Sequence, residues 1–199
     1  MDKPIYLGSK SPRRRELLAL TGLIFKVRPL EEMDEEALLS DYRGEIIGGA
    51  EFLAVEKARK AMKLEMPGYF ITADTLVISD DGKVLGKPRD NDEAKMFLDR
   101  LAGNWHTVAT GVALSEAPCE ICPDGRIESI VETTRVKFAP MDALEIQQYI
   151  ETGEPFDKAG GYGIQGRASI HIERIEGCYF NVVGFPLHAF WKMWKRFKD

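Results

Sequence analysis

Cysteine is scarce in this sequence: Cys119, Cys122 and Cys178 are its only thiols, too few for the disulfide framework of a small secreted domain. The Cys119-Glu120-Ile121-Cys122 spacing is that of half a zinc knuckle or a redox pair. Its setting, with Pro118, Pro123 and Gly125, reads instead as a turn-rich connection, and a structural zinc would need four ligands where three cysteines exist. Long apolar runs are missing as well. No stretch approaches the roughly 18 consecutive apolar residues of a membrane span, and Met1-Asp2-Lys3-Pro4 lacks the apolar segment of a signal peptide, so a cytoplasmic protein is expected. A large excess of one charge is absent too. The net charge of −5 draws the chain to neither nucleic acid nor anionic membrane, so an anion site has to be built locally from clustered cations. There is no internal repeat and no low-complexity linker, and a single domain over residues 1–199 is expected. Finally, there is no Walker sequence, no nucleophile elbow and no His-Glu-x-x-His pair, which removes support for the commonest phosphate, serine and zinc chemistries.

What is present is an interleaving of helix and strand patterns. Ile5-Tyr6-Leu7 is a short strand, Gly8-Ser9-Lys10 a turn, and Ser11-Pro12 an N-cap with proline at the first helical position, opening a helix that Gly22 stops. Residues 24–27 read as a strand, and an acidic stretch over 31–36 leads into a helix around Phe52, Val55 and Ala58. A strand over 69–73 ends at Asp74, and Asp80-Asp81-Gly82 joins residues 76–79 and 83–85 as a hairpin. Asp90 with Glu93 caps a helix that buries Ala94, Phe97, Leu98 and Leu101 and ends at Gly103. Strands follow over 106–114 and from Ile127 to Phe138, then a helix over 144–150 that Gly153 ends. Residues 153–166 form a glycine-rich loop, residues 169–175 and 179–183 bracket Glu176-Gly177 as a second hairpin, and Leu187, Phe190, Trp191, Trp194 and Phe197 stripe a final helix. This order predicts an α/β protein with a mixed, twisted sheet and flanking helices, since the hairpins require antiparallel pairs.

Some residues carry chemistry beyond this pattern. The helix macrodipole favours carboxylates in a first turn, yet this first turn holds Arg13, Arg14 and Arg15, a misplaced charge that wants an anion. A strand, a Gly-Ser turn and free N–H groups at a helix start make a phosphate cradle to which arginine adds planar donors; a solvated basic helix end is the other reading. Asp74 closes an apolar strand, where aspartate is depleted unless a function or a partner retains it. It could hold a metal, take a proton from water, or cap a turn. Lys57 and Lys87 are ordinary when taken alone, the second on the stiff Gly86-Lys87-Pro88 loop. Residues 157–166 combine Asp157, Lys158, Tyr162 and Gln165 with four glycines, which suits either a structural turn or a nucleotide cradle.

Taken in order, these pieces resemble the Maf family of nucleotide pyrophosphatases from Tyr6 through Leu187. The blocks are residues 7–18, Glu56-Lys57-Ala58, Ala73-Asp74-Thr75, Gly86-Lys87-Pro88, His106 through Val112, 152–155, 157–160, 162–166 and Asn181-Val182-Val183-Gly184. Gly8 and Gly161 stand where the family usually has alanine. The resemblance implies a Maf/ITPase-like fold with two lobes around a nucleotide cleft, a homodimer, and a divalent cation, Mg²⁺ or Mn²⁺. It implies hydrolysis of dTTP or UTP to the monophosphate and pyrophosphate. A sister branch acting on 7-methyl-GTP and a nucleotide-binding regulator of septum formation without turnover are the alternatives. It further implies Asp74 as catalytic residue, an acidic residue for which Asp34, Glu35 and Glu36 compete, taken as Glu35, as metal ligand with Asp74, and Ser9, Arg14, Lys57, Lys87 and Lys158 as phosphate ligands. Arg13, Thr75 and Gln165 are implied as the residues that select the base.

Overall fold

A computed structural model of the chain describes residues 3–64, 66–118 and 124–198. The described strands are β1 (Ile5–Leu7), β2 (Lys26–Val27), β3 (Tyr69–Ser79), β4 (Val84–Leu85), β5 (Trp105–Glu116), β6 (Arg126–Phe138) and β7 (Ile172–Glu176). They form one mixed sheet in the order β2-β1-β3-β5-β6-β7, with β4 paired to β3. β1 runs parallel to both β2 and β3, whereas β3/β4 and β6/β7 are antiparallel. Helices α1 (Pro12–Ala19), α2 (Glu35–Asp41), α3 (Gly49–Met62), α4 (Asn91–Leu101), α5 (Ala143–Glu151), α6 (Tyr179–Val183) and α7 (Leu187–Lys198) complete the described elements, with short 3-10 turns between them. The mixed sheet with flanking helices is the fold class expected from the pattern.

The chain divides into two compact units. The first comprises Met1–Asp74, Thr110–Glu132 and Gly184–Asp199, and the second Thr75–Ala109 and Thr133–Val183. In the first, α3 carries a stripe of fully buried alanines, Ala50, Ala54, Ala58 and Ala61, spaced to lie on one helix face. Ala54 and Ala58 pack on Ala113 of β5, and such small side chains let the helix lie close to the sheet. In the second unit, Phe97, Leu98 and Leu101 of α4 meet Val108, Val136, Phe138 and Ile146 in a contiguous apolar core. A fully buried side chain of this size contributes about 1.5–3 kcal/mol by leaving water.

Most caps form where the sequence places them. The Arg14 backbone N–H donates to the Ser11 hydroxyl (3.4 Å), and the Glu93 N–H donates to Asp90 (2.8 Å). α5 ends at Gly153, which takes a φ of 73°.

Five expectations need correction. The strand does not stop at Asp74: β3 continues through Asp74 and Thr75 to Ser79, because nearby cations offset the burial of the Asp74 carboxylate. Of residues 24–27 only Lys26–Val27 pair as strand. Residues 167–171 form a 3-10 turn, so the following strand begins only at Ile172. The second hairpin is absent, since β7 pairs with β6 and Tyr179–Val183 is helical. That helix is imposed by tertiary hydrogen bonds. The Asn181 amide donates to Val108 O (2.9 Å) and Thr134 Oγ1 (3.0 Å), and the Cys178 backbone N–H donates to the same hydroxyl (3.0 Å). The predicted stripe of α7 is also turned slightly: Met193 is buried with Phe190, Trp194 and Phe197, while Trp191 is only half-buried. The Cys119/Cys122 loop lies outside the described residues.

Candidate active site

The first unit gathers three carboxylate and ammonium groups from three elements. Asp74 sits on β3, is 6% exposed, and pairs with Lys57 of α3. Lys57 Nζ also lies 2.7 Å from Glu35 Oε1, at the first turn of α2. α2 exists because Asp34 caps it, accepting the Ala37 N–H (3.0 Å). That cap occupies Asp34 and turns the next residue, Glu35, to Lys57, while Glu36 remains exposed. α3 is itself held to β3 where the Thr72 hydroxyl donates to Ala54 O (2.8 Å), one turn before Lys57.

Arg14 adds a half-buried cation to this cluster. Its Nη1 donates to Ala73 O (2.7 Å) and its Nε to Gly184 O (3.1 Å), so the guanidinium is fixed beside the Asp74 backbone. Burial lowers the Arg14 pKa, and the charges of Asp74 and Glu35 oppose that shift. Burial likewise pushes the Asp74 carboxyl above the usual carboxylate range; Glu35 adds to the rise, and Lys57 and Arg14 oppose it. A carboxylate placed in so little water is a better proton acceptor than an exposed one. Ser9 lies in the turn before α1, where its hydroxyl accepts the Ser11 N–H (3.2 Å). Arg13 is half-buried in the first turn of the same helix.

The remaining expected residues belong to the second unit. Thr75 follows Asp74 directly on β3 and is half-buried. Lys87 is exposed on the loop after β4, which is tied down where the Gly160 N–H donates to Gly86 O (2.9 Å). Lys158 is turned inward: its ammonium donates to Glu154 O (2.8 Å) and pairs with Asp157. Gln165 is exposed at the turn that the Gly166 N–H closes on Gly163 O (3.0 Å).

Asp74 and Glu35 present only oxygen donors and are drawn to one cationic point, Lys57. Mg²⁺ and Mn²⁺ take one or two carboxylates together with phosphate oxygens, so this donor set fits such an ion. Among the described residues no group of three or more His, Cys, Asp or Glu side chains is arranged to hold a metal by itself.

Reading the sequence missed three participants. Thr72 anchors α3 and gave no sign of it. Glu154 lies within the Thr152-Gly153-Glu154-Pro155 block but had no role assigned. His106 is 2% exposed, with Nε2 2.7 Å from the Tyr162 hydroxyl, so this β5 histidine is hydrogen-bonded to the glycine-rich loop.

The family described as Maf-like protein matches residues 4–197. A dTTP/UTP pyrophosphatase of Symbiobacterium thermophilum is 47% identical over 194 residues, covering 97% of this chain and 93% of that one. A dTTP/UTP pyrophosphatase of Carboxydothermus hydrogenoformans is 45% identical over 183 residues, 92% of each chain. Among solved structures, the Ham1 protein of Staphylococcus aureus covers 98% of this chain and 100% of its own with a TM-score of 0.50 at 12% identity, a likeness of fold. Among the described residues no helix is long and apolar enough to cross a membrane.

Proposed function

Because the chain belongs to the Maf-like family, we propose that it hydrolyses dTTP and UTP to the nucleoside monophosphate and pyrophosphate, with water attacking the α-phosphate. The observation that carries the reading is the buried Asp74 carboxylate held between Lys57 and Arg14, with Glu35 on the same lysine. Asp74 orients the attacking water and takes its proton, a task suited to a carboxylate whose pKa lies above the usual range. Arg14, Lys57 and Lys87 stabilise the charge that grows on the phosphate oxygens, and Ser9 and the N–H groups at the start of α1 cradle them. Lys158 joins this set by exchanging Asp157 for phosphate. Glu35 and Asp74 would hold the divalent cation, Mg²⁺ or Mn²⁺, which would neutralise phosphate charge and polarise the P–O bond.

Base choice falls to Gln165, Arg13 and Thr75. The Gln165 amide accepts from the uracil or thymine N3–H and donates to O4, a pattern cytosine inverts. Arg13 disfavours a cationic base such as 7-methylguanine by like-charge repulsion. The enzyme works in the cytosol as a homodimer, which sedimentation at varied concentration tests.

The deciding experiment measures kcat/KM for dTTP, UTP, CTP and 7-methyl-GTP with Mg²⁺ and with Mn²⁺, scoring pyrophosphate and orthophosphate separately. The expected result is preference for dTTP and UTP with pyrophosphate as the inorganic product. Preference for 7-methyl-GTP, release of orthophosphate, or nucleotide binding without turnover would each overturn it.

A further inference from the structure

The loop that carries Gln165 is wrapped around a side chain with no assigned task. Glu154 opens the 3-10 turn after α5, and both of its carboxylate oxygens are occupied. Oε1 accepts the Tyr149 hydroxyl (2.9 Å), and Oε2 accepts the backbone N–H of Arg167 (2.9 Å). The carboxylate therefore ties Tyr149 of α5 to the chain two residues after Gln165, at Arg167.

Space says the same as hydrogen bonding. A Cβ added to Gly166 would lie 2.2 Å from Glu154 Oε1 and 2.4 Å from Oε2. A Cβ on Gly163 would lie 2.7 Å from Lys158 Cε and 3.5 Å from Glu154 Oε1. The turn from Gly163 to Gly166 thus closes onto the Glu154 carboxylate and the Lys158 stem, and a Cβ at either end would displace one of them. Lys158 is held there in its turn by the Glu154 carbonyl (2.8 Å). Tyr149 is 4% exposed in the apolar core, so this arrangement is anchored to the rigid part of the unit. Gln165 itself is exposed, and the chain after it is held by the Glu154 carboxylate while Gly163 before it lies against the Lys158 stem.

We propose that Glu154 is the positioning residue for base selection: its carboxylate fixes the turn that presents Gln165, and so sets the orientation of the amide that separates uracil and thymine from cytosine. This rests on the reading of Gln165 as the base-reading side chain. An amide reads a base only while its oxygen and nitrogen are held in one sense, because a flipped amide accepts cytosine equally well. Displacements near 1 Å at a recognition group cost on the order of a hundredfold, so a modest loosening of the turn suffices.

Glu154→Ala removes both acceptors, so the Tyr149 and Arg167 contacts are lost together. Tyr149→Phe removes the hydroxyl link alone and preserves the core, and it carries the same expectation should the first variant fold poorly. In each, kcat/KM is measured for UTP and CTP, together with inhibition by pyrophosphate, which has no base. The UTP-to-CTP ratio is expected to fall by roughly tenfold to a hundredfold, with pyrophosphate inhibition within about twofold of the wild type. An unchanged ratio, or a ratio and an inhibition constant that worsen together as a merely structural role requires, overturns the proposal. Gln165→Ala separates the two levels. If it abolishes discrimination while both positioning variants keep it, Glu154 is wrong and Gln165 right; if it leaves discrimination intact, the base reading fails and this inference with it.

Discussion

At the scale of single residues, the site is an exchange of solvation for paired charge. Asp74, Lys57 and Arg14 give up water for one another, and removing any one leaves its partners buried without full compensation. Asp74→Asn keeps the shape and removes the base, so kcat should fall by about a hundredfold or more while nucleotide binding largely survives. Near-normal turnover in the folded variant would contradict the assignment. His106 makes a second residue-scale statement, about pH. Packed against the rings of Phe138 and Tyr162, its imidazole is pushed by burial from 6.5 down to about 3. Because the unfolded chain then binds more protons, the stability this histidine contributes is whole above about pH 6.5 and is lost as pH falls toward 3. At pH 5 the loss is about 2 kcal/mol. His106→Gln should therefore show a smaller drop in Tm between pH 7.5 and pH 5 than the wild type does. Equal drops would assign the acid sensitivity elsewhere.

At the scale of elements, the distance between α3 and the sheet decides whether Lys57 reaches Asp74. A close approach is at Gly111 of β5, where a Cβ would stand 2.2 Å from Ala50 O and 2.5 Å from the Glu51 Cα. Backbone cannot yield as a flexible side chain does. Gly111→Ala should cost about 1–3 kcal/mol in urea unfolding and also lower kcat, because the same shift carries Lys57 away from the carboxylates. A variant with wild-type midpoint and turnover would mean that the contact relaxes locally. Much at this scale was legible in the sequence. The N-caps of α1 and α4 and the β3/β4 hairpin follow from local chemistry at Ser11, Asp90 and Gly82. Residues 179–183 were not legible, because an apolar, β-branched segment suits a strand until Asn181 finds Val108 and Thr134 far along the chain.

At the scale of the whole molecule, the C-terminal helix α7 is bound into the first unit by aromatic contact. Tyr69 meets Trp194 and Phe197 edge-on at 5.6 and 5.9 Å between ring centroids, and the Arg126 guanidinium lies 4.4 Å over the Phe197 ring. Trp194→Ala should cost about 3–5 kcal/mol by the urea midpoint, with kcat nearly unchanged where the variant is folded. A loss of turnover at full stability would instead tie α7 to the chemistry. The sequence by itself determined the family, through blocks whose order survives without any coordinates, and the mixed α/β character, through hydrophobic periods that each segment carries within itself. Only the tertiary structure decided that Asp34 caps α2 while Glu35 turns to Lys57, that β3 runs unbroken through Asp74, and that Glu154 lies inside the turn bearing Gln165. The physical reason is the same for all three. A period or a cap is settled among neighbours in the chain, whereas the partner of a buried charge is settled by which elements pack together.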